Sequence, residues 1–534
     1  MNSLRSLMRI AAGAPLLACL LALPAAAEPA PAHPSRPPGV AWFDGDVDAA
    51  FAAAAAARKP VFLYWGAVWC PPCQELKATI FKRRDFLERL ALFVPVYLDG
   101  DAAGAQALGE RFHVSGYPTV LVLRGDRTEL ERVSGGMDLS RYAEVLERAL
   151  GQVRPAQELL EALARDDAGG APALDAGDCR RLAYNAWQLD DNWSTPAALE
   201  RLAQGLQRAA QRCPAPLRIE RARLQITAVQ AAVDAQAPAD GRAGAAGPPA
   251  DLRPYLALVP PILADRDLAL AVGDALQGLR RGYFTVAVAA DPAGRDGLRR
   301  QWFACMDALA RDPRYSASDQ LDALGSKLIA AKALDPAGRI DPGLAAAVTR
   351  RIDAALVRER EPYARASLVN SALNALDTLG DDERAYAILS AEIATAAHPY
   401  YYMADLGELE EKRGHADAAV DWLARSYQGA QGPATRFQWG VGYVRGLVRL
   451  RPRDDAAIRA AALAVLADLD AAGDLHGRTR RSLGRLATSL SDWNKDASHG
   501  ATLAALHARM QGICGKLPAG DPARPGCDAF PAKG

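Results

Sequence analysis

Val61-Phe62-Leu63-Tyr64-Trp65 is an unbroken apolar run, and four residues later Trp69-Cys70-Pro71-Pro72-Cys73 opens into Gln74-Glu75-Leu76-Lys77-Ala78-Thr79-Ile80. A short apolar run followed by helical spacing predicts a buried strand, a turn and a helix. Two cysteines three apart at that junction put Cys70 at the helix start and Cys73 one turn inside it. This pair is a dithiol able to open and close a disulfide. Exchange runs through a mixed disulfide, with Cys70 attacking as thiolate and Cys73 resolving the intermediate from the next turn.

A Cys-x-x-Cys pair is also half of a zinc site, and it can be an inert structural disulfide. No second Cys/His pair lies nearby, and the seven histidines are scattered without a metal spacing. The neighbouring prolines suit a strand-to-helix turn better than a zinc knuckle. The expectation is redox chemistry, with no metal and no dissociable cofactor. Pro71 and Pro72 lack N–H groups, so the helix start offers no amide to a Cys70 thiolate before Cys73; this leans towards a reductase.

A chain of 534 residues is too long for one core, so at least two domains are expected. Lys+Arg and Asp+Glu both total 63, and this zero formal charge argues against nucleic acid as a partner. Arg5 and Arg9 precede an apolar stretch from Ile10 to Leu23, followed by Pro24-Ala25-Ala26-Ala27. Residues 1–27 therefore read as a secretory signal cleaved after Ala27, giving a periplasmic or secreted protein. Leu16-Leu17-Ala18-Cys19 offers an alternative: it resembles a bacterial lipobox, and lipidation of Cys19 would tether the chain to a membrane. Residues 28–39 form a proline-rich linker.

From 40 to 151 helical and strand patterns alternate. Asp46 to Arg58 reads as helix, Val61 to Trp65 as strand, Cys73 to Leu90 as helix broken near Arg83-Arg84, and Leu92 to Leu98 as strand. Ala102 to Phe112 follows as helix, Thr119 to Leu123 as strand and Asp138 to Leu150 as a closing helix. The pattern predicts an α/β sandwich, a central mixed sheet with flanking helices.

Trp69-Cys70-Pro71-Pro72-Cys73, then Gly116-Tyr117-Pro118-Thr119 entering a strand, then Gly135-Gly136 before the last helix together resemble the thioredoxin-fold family over residues 40–151. The resemblance implies that Pro118 is cis and faces the dithiol and that the Tyr117 backbone holds an extended substrate segment. By their position Trp65 and Trp69 sit against the dithiol, and Trp69 reads as part of the docking surface, with plain core packing the alternative for either. The resemblance also exposes a departure, because the family's buried aspartate six residues before the first cysteine is replaced by Tyr64. Glu75 is the nearest carboxylate and the candidate proton relay for Cys73; its other reading is simple complementation of the helix dipole.

From 152 to 515 the texture is all-α: Pro196–Cys213, Leu217–Ala235, Asp341–Arg358 and Asp454–Ala472 carry apolar residues at helical spacing. Gly380, Ala385 and Leu389 recur as Gly414, Ala419 and Leu423, each 34 residues on, at a spacing that resembles tetratricopeptide repeats. Stacked hairpins of this kind would offer a groove to a client protein, or would only pack on the redox domain. Residues 235–254, rich in Gly, Pro and Ala, read as a loop, and 516–534 as a C-terminal tail. Outside the dithiol, the sequence-near cysteine pairings are Cys179 with Cys213 and Cys514 with Cys527, the latter worth about 3 kcal/mol; connectivity stays open, with Cys305 the candidate free thiol.

These readings converge on an exported protein thiol-disulfide oxidoreductase that reduces disulfides in protein substrates through Cys70 and Cys73. A partner redox protein would supply the electrons, and oxidase or isomerase activity is the alternative within the class. A different class stays open: a helical-repeat interaction scaffold using the thioredoxin-like domain as a docking or redox-sensing module.

Overall fold

The computed structural model describes residues 36–37, 39–134, 150, 154–165, 173–236, 251–473, 475–521, 523–528 and 530. The signal segment with Cys19, nearly all of the proline-rich linker, Gly135-Gly136, all but the last residue of the helix expected over 138–150 and the centre of the 235–254 loop lie outside the described residues.

The Asp46 carboxylate accepts the Ala49 N–H at 2.7 Å and starts α1 (Val47–Ala57), which Arg58 ends in the left-handed region. The apolar run becomes β1 (Val61–Gly66), buried at every position. It pairs in parallel with β2 (Val94–Asp99) and antiparallel with β3 (Thr119–Leu123), which pairs antiparallel with β4 (Glu129–Ser134), giving the order β2-β1-β3-β4. Strand alternation divides β1 between two cores: Phe62 and Tyr64 pack towards Phe81 and Phe86, while Val61, Leu63 and Trp65 pack towards Val47 and Phe51 of α1. Trp65 therefore faces away from the dithiol, against the expectation that both tryptophans flank it.

The helix after the dithiol begins at Pro71, two residues earlier than expected, because Cys70 serves as its N-cap. It runs as α2 (Pro71–Ala78), a 3-10 turn at Ile80–Lys82 and α3 (Arg84–Leu90), broken at Arg83, whose extended backbone gives the predicted discontinuity. Ala105–Arg111 forms α4. The strand β4 has no counterpart in the sequence reading. Its Glu131 and Arg132 are buried, at 0% and 1% exposure, so the segment carries charge where a core strand would carry apolar residues.

Arg132 explains its own burial. Its guanidinium donates to the carbonyls of Phe112 (2.7 Å), His113 (2.9 Å) and Leu189 (2.7 Å) and to the Glu129 carboxylate, while its backbone N–H donates to Asn185 Oδ1 at 2.8 Å. These bonds fasten the sheet edge to the first helices of the α-helical region. The apolar core is continuous across the same seam, running from Phe62 and Tyr64 through Leu160, Leu182 and Trp187 to Leu206 and Leu224.

Four sequence-predicted helices appear as Pro196–Arg212, Arg218–Asp234, Pro342–Arg358 and Asp455–Ala472. Three are capped by the Thr195, Asp341 and Asp454 side chains, each accepting an N–H three residues on. The two copies of the 34-residue pattern fall on equivalent positions of consecutive helical hairpins. Gly380 and Gly414 sit in the left-handed region, φ 73° and 80°, at the turns of Pro362–Leu379 with Asp382–Glu392 and of Pro399–Lys412 with Ala416–Gly429. Cys179 pairs with Cys213 and Cys514 with Cys527, while Cys305 is a buried free thiol. Among the described residues no helix is long and apolar enough to cross a membrane.

Candidate active site: a dithiol closed by the protein's own helices

Cys70 and Cys73 are joined in a disulfide with their Cα atoms 5.2 Å apart. The Cys73 N–H donates to Cys70 Sγ at 3.2 Å, and Pro71 and Pro72 supply no donor between them. Both cysteines are buried, packed with Ala67, Trp69 and Tyr117. The Tyr117–Pro118 peptide is cis. The Tyr117 hydroxyl accepts from Gln106 Nε2 at 3.0 Å, and a Cβ on Gly100 would collide with the Tyr117 ring, so that position needs glycine. The sequence-predicted residues Trp69, Cys70, Cys73 and Tyr117 are thus brought together, with Pro118 buried beside Tyr117.

Trp69 is held by Asp101 and by residues more than 300 positions away. Its Nε1–H donates to Asp101 Oδ2 at 2.7 Å and to Thr435 Oγ1 at 2.9 Å. Its ring stacks on Tyr401 (5.7 Å between centroids), meets Trp439 edge-on at 5.3 Å, and lies 5.3 Å from the Arg478 guanidinium. Tyr401 comes from Pro399–Lys412, Thr435 and Trp439 from Pro433–Leu450, and Arg478 from Gly477–Trp493. The Trp69 surface, read from the sequence as a docking surface, is covered by this chain's own helices. Nothing local to Trp69 signals these partners, although the Tyr400-Tyr401-Tyr402 run stands out in an alanine-rich region.

Asp101 organises the closure. Besides Trp69, it accepts the Thr435 hydroxyl at 2.5 Å and pairs with Arg478, in a contact that leaves Asp101 6% exposed. Around it, Gln106 Oε1 accepts the Arg478 N–H at 2.9 Å, and Glu110 accepts the Gly477 N–H at 2.8 Å while lying 2.7 Å from both His476 Nδ1 and the Arg480 guanidinium.

Tyr64, at the position of the family's aspartate, is part of an aromatic cluster, stacked on Trp42 and edge-on to Phe81 at 4.9 Å. Glu75 accepts the Ser318 hydroxyl at 2.7 Å, which engages its carboxylate at the contact with the helical region. The sequence reading passed over Lys77, one helical turn beyond Cys73 on the same buried face of α2. Burial pulls the Lys77 amine down to about 8, with Asp99 pulling the other way, and burial pushes Asp99 up. Among the described residues no group of His, Cys, Asp and Glu is placed to hold a metal ion.

Arg478→Met leaves Asp101 buried without its cation. The expected cost is about 3–5 kcal/mol in urea unfolding. In the reduced protein, native-state alkylation of Cys70 should accelerate, because the helices over Trp69 lose their ionic anchor. Unchanged stability and labelling would show that Asp101 does not hold this contact.

Residues 41–125 match the family model described as thioredoxin-like. No curated protein gives a significant match to the chain. The match spans α1 through β3 and contains the Cys70–Cys73 pair, so three of the four strands, the dithiol helix and the cis-proline loop belong to one recognised unit; residues 41–125 form a thioredoxin-like domain.

Proposed function

We propose that the protein is an exported thiol-disulfide oxidoreductase that reduces disulfides in protein substrates. The observation that carries this reading is the Cys70–Cys73 disulfide at the start of α2, with Cys70 Sγ receiving one backbone N–H across Pro71 and Pro72. One amide stabilises a Cys70 thiolate modestly, which favours a reducing couple over a strongly oxidising one. Cys179–Cys213 and Cys514–Cys527 support export, since such pairs persist in oxidising compartments.

In the reducing direction, Cys70 thiolate attacks one sulfur of the substrate disulfide. That bond breaks as the mixed disulfide forms, and the first substrate sulfur leaves as thiolate and takes a proton. Cys73 then gives up its proton and attacks Cys70 Sγ, releasing the second substrate thiolate. The substrate gains two electrons and Cys70–Cys73 ends oxidised, to be reduced again by a partner redox protein. Tyr117 and Pro118 hold the substrate chain, and Trp69 becomes available once the helices above it part.

Cys73→Ser removes the resolving thiol and should accumulate mixed disulfides on Cys70 with proteins of the export compartment, released by dithiothreitol. Partners held equally well by Cys70→Ser/Cys73→Ser would instead favour the scaffold reading, which the closure over Trp69 also suits. Equilibrium titration in glutathione buffers should place the couple near −250 mV, whereas a potential above about −180 mV would reverse the reading to oxidation or isomerisation.

Lys77 is assigned here as the acceptor of the Cys73 proton. A depressed amine is neutral above about pH 8, so the resolving step should speed up as pH rises through 8. Lys77→Met should lose that limb, slowing resolution at pH 8 by about 10- to 100-fold, while Glu75→Gln keeps it. A Lys77→Met profile superimposable on the parent, with Glu75→Gln the slow variant, would return the role to Glu75.

A further inference from the structure

The Arg253–Leu256 and Arg281–Ala290 helices and the start of the Arg295–Leu309 helix surround a cavity of about 360 Å³, large enough for a small molecule. Leu256, Val288 and Leu298 make part of its wall apolar. None of these residues takes part in the contacts around the dithiol.

Tyr283 is 1% exposed, with its ring set against Phe284 and Trp302 in the core. Its hydroxyl meets no hydrogen-bond partner among the described residues, and burial pushes it up, so it stays protonated and able to donate. The Trp302 indole N–H is also unpaired but is sealed in the core; the Tyr283 hydroxyl keeps a little surface, and Tyr283 lines the cavity. A buried donor that opens on a cavity and bonds to nothing in the chain is left for whatever fills that cavity.

The charge on the same wall is positive and unmet. Arg295 pairs with no carboxylate among the described residues, and its Nε is sealed without a partner, so its Nη groups remain to be engaged. Arg295 is also the first residue of a 15-residue helix that no side chain caps. Asp291 accepts the Gly294 N–H at 3.0 Å just before the helix starts, and among the described residues the N–H groups of Arg295, Asp296 and Gly297 meet no acceptor. The other charges on the wall are accounted for: Asp251 engages Arg253 through both Nε and Nη2 at 2.9 Å, and Asp291 is exposed, where water screens it.

We propose that this cavity binds a free aliphatic carboxylic acid. Its carboxylate sits on the Arg295 guanidinium and the first-turn amides, one oxygen accepts the Tyr283 hydroxyl, and the hydrocarbon chain lies along Leu256, Val288 and Leu298. A guanidinium at a helix start selects an anion, its planar fork suits a carboxylate, and the apolar wall selects a carbon body.

The test is calorimetric titration of the full chain with octanoate, with octanamide, which keeps the chain and lacks the charge, and with N-acetyl-Ala-Leu, which carries a peptide's terminal carboxylate. Octanoate should bind at least tenfold more tightly than octanamide. Arg295→Gln should weaken octanoate at least tenfold and leave octanamide unchanged, and Tyr283→Phe should weaken octanoate about threefold to tenfold. Both variants should fold, since the Arg295 side chain bonds to nothing in the chain and phenylalanine keeps the Tyr283 ring. No binding of octanoate at millimolar concentration, octanamide binding as tightly, binding of the peptide alone, or unchanged octanoate affinity in both variants would overturn the site.

Discussion

The buried carboxylate of Asp101 is the constraint on which the arrangement around the dithiol depends. Taking a carboxylate out of water costs several kcal/mol unless every lone pair is met, and here three donors from three elements meet it: the Trp69 indole, the Thr435 hydroxyl and the Arg478 guanidinium. Sheet register puts the carboxylate there. Gly66 pairs with Asp99 across β1 and β2, and the Gly100 N–H donates to the Gly66 carbonyl at 2.8 Å, so the residue after Gly100 emerges beside the turn that carries Trp69 and Cys70. The helices that close over the dithiol are therefore oriented by a group that the strands position.

The closure changes what the dithiol can meet. In an open thioredoxin-like domain the loop at Tyr117 and the indole at Trp69 would be free to take an extended chain. Here Trp69 is packed between Tyr401 and Trp439, and both cysteines are buried. Under the proposed function a substrate would reach Cys70 by replacing contacts that the chain makes with itself, so the helical region would set the threshold for entry. Selectivity would then arise from the difference between what a client offers Trp69 and what Tyr401, Trp439 and Arg478 already offer.

How much of this was legible in the sequence depends on the range of each interaction. The strand, the dithiol turn and α2 could be read because their determinants are adjacent: the apolar run, the N-capping Cys70 and the prolines at the helix start. Helix ends at Thr195, Asp341 and Asp454 were equally local, and the two further disulfides joined the cysteines nearest in sequence. The strand β4 escaped because Arg132 is buried through partners at Phe112, Asn185 and Leu189, which no window around residue 130 contains. Trp65 was placed on the wrong side although strand alternation opposes it to Tyr64. The ring around Trp69 was not readable at all, since its members meet it only when the last helices fold back on the first domain.

The two seams between the thioredoxin-like domain and the helices differ in kind. At the β4 edge the apolar core runs through without interruption, and Arg132 with its carbonyl partners locks it; separating that seam would expose large apolar side chains such as Trp187 and Leu206 to water. Across the dithiol the seam is made of ion pairs, single hydrogen bonds and ring contacts, from Glu110 with His476 and Arg480 to Asp101 with Arg478. Water can replace the partners of Glu110 when they part, so those contacts contribute modestly, while the buried Asp101–Arg478 pair carries the larger share. The helical region is thus anchored at one edge and held reversibly at the other, and the reversible edge is the one that lies over Cys70.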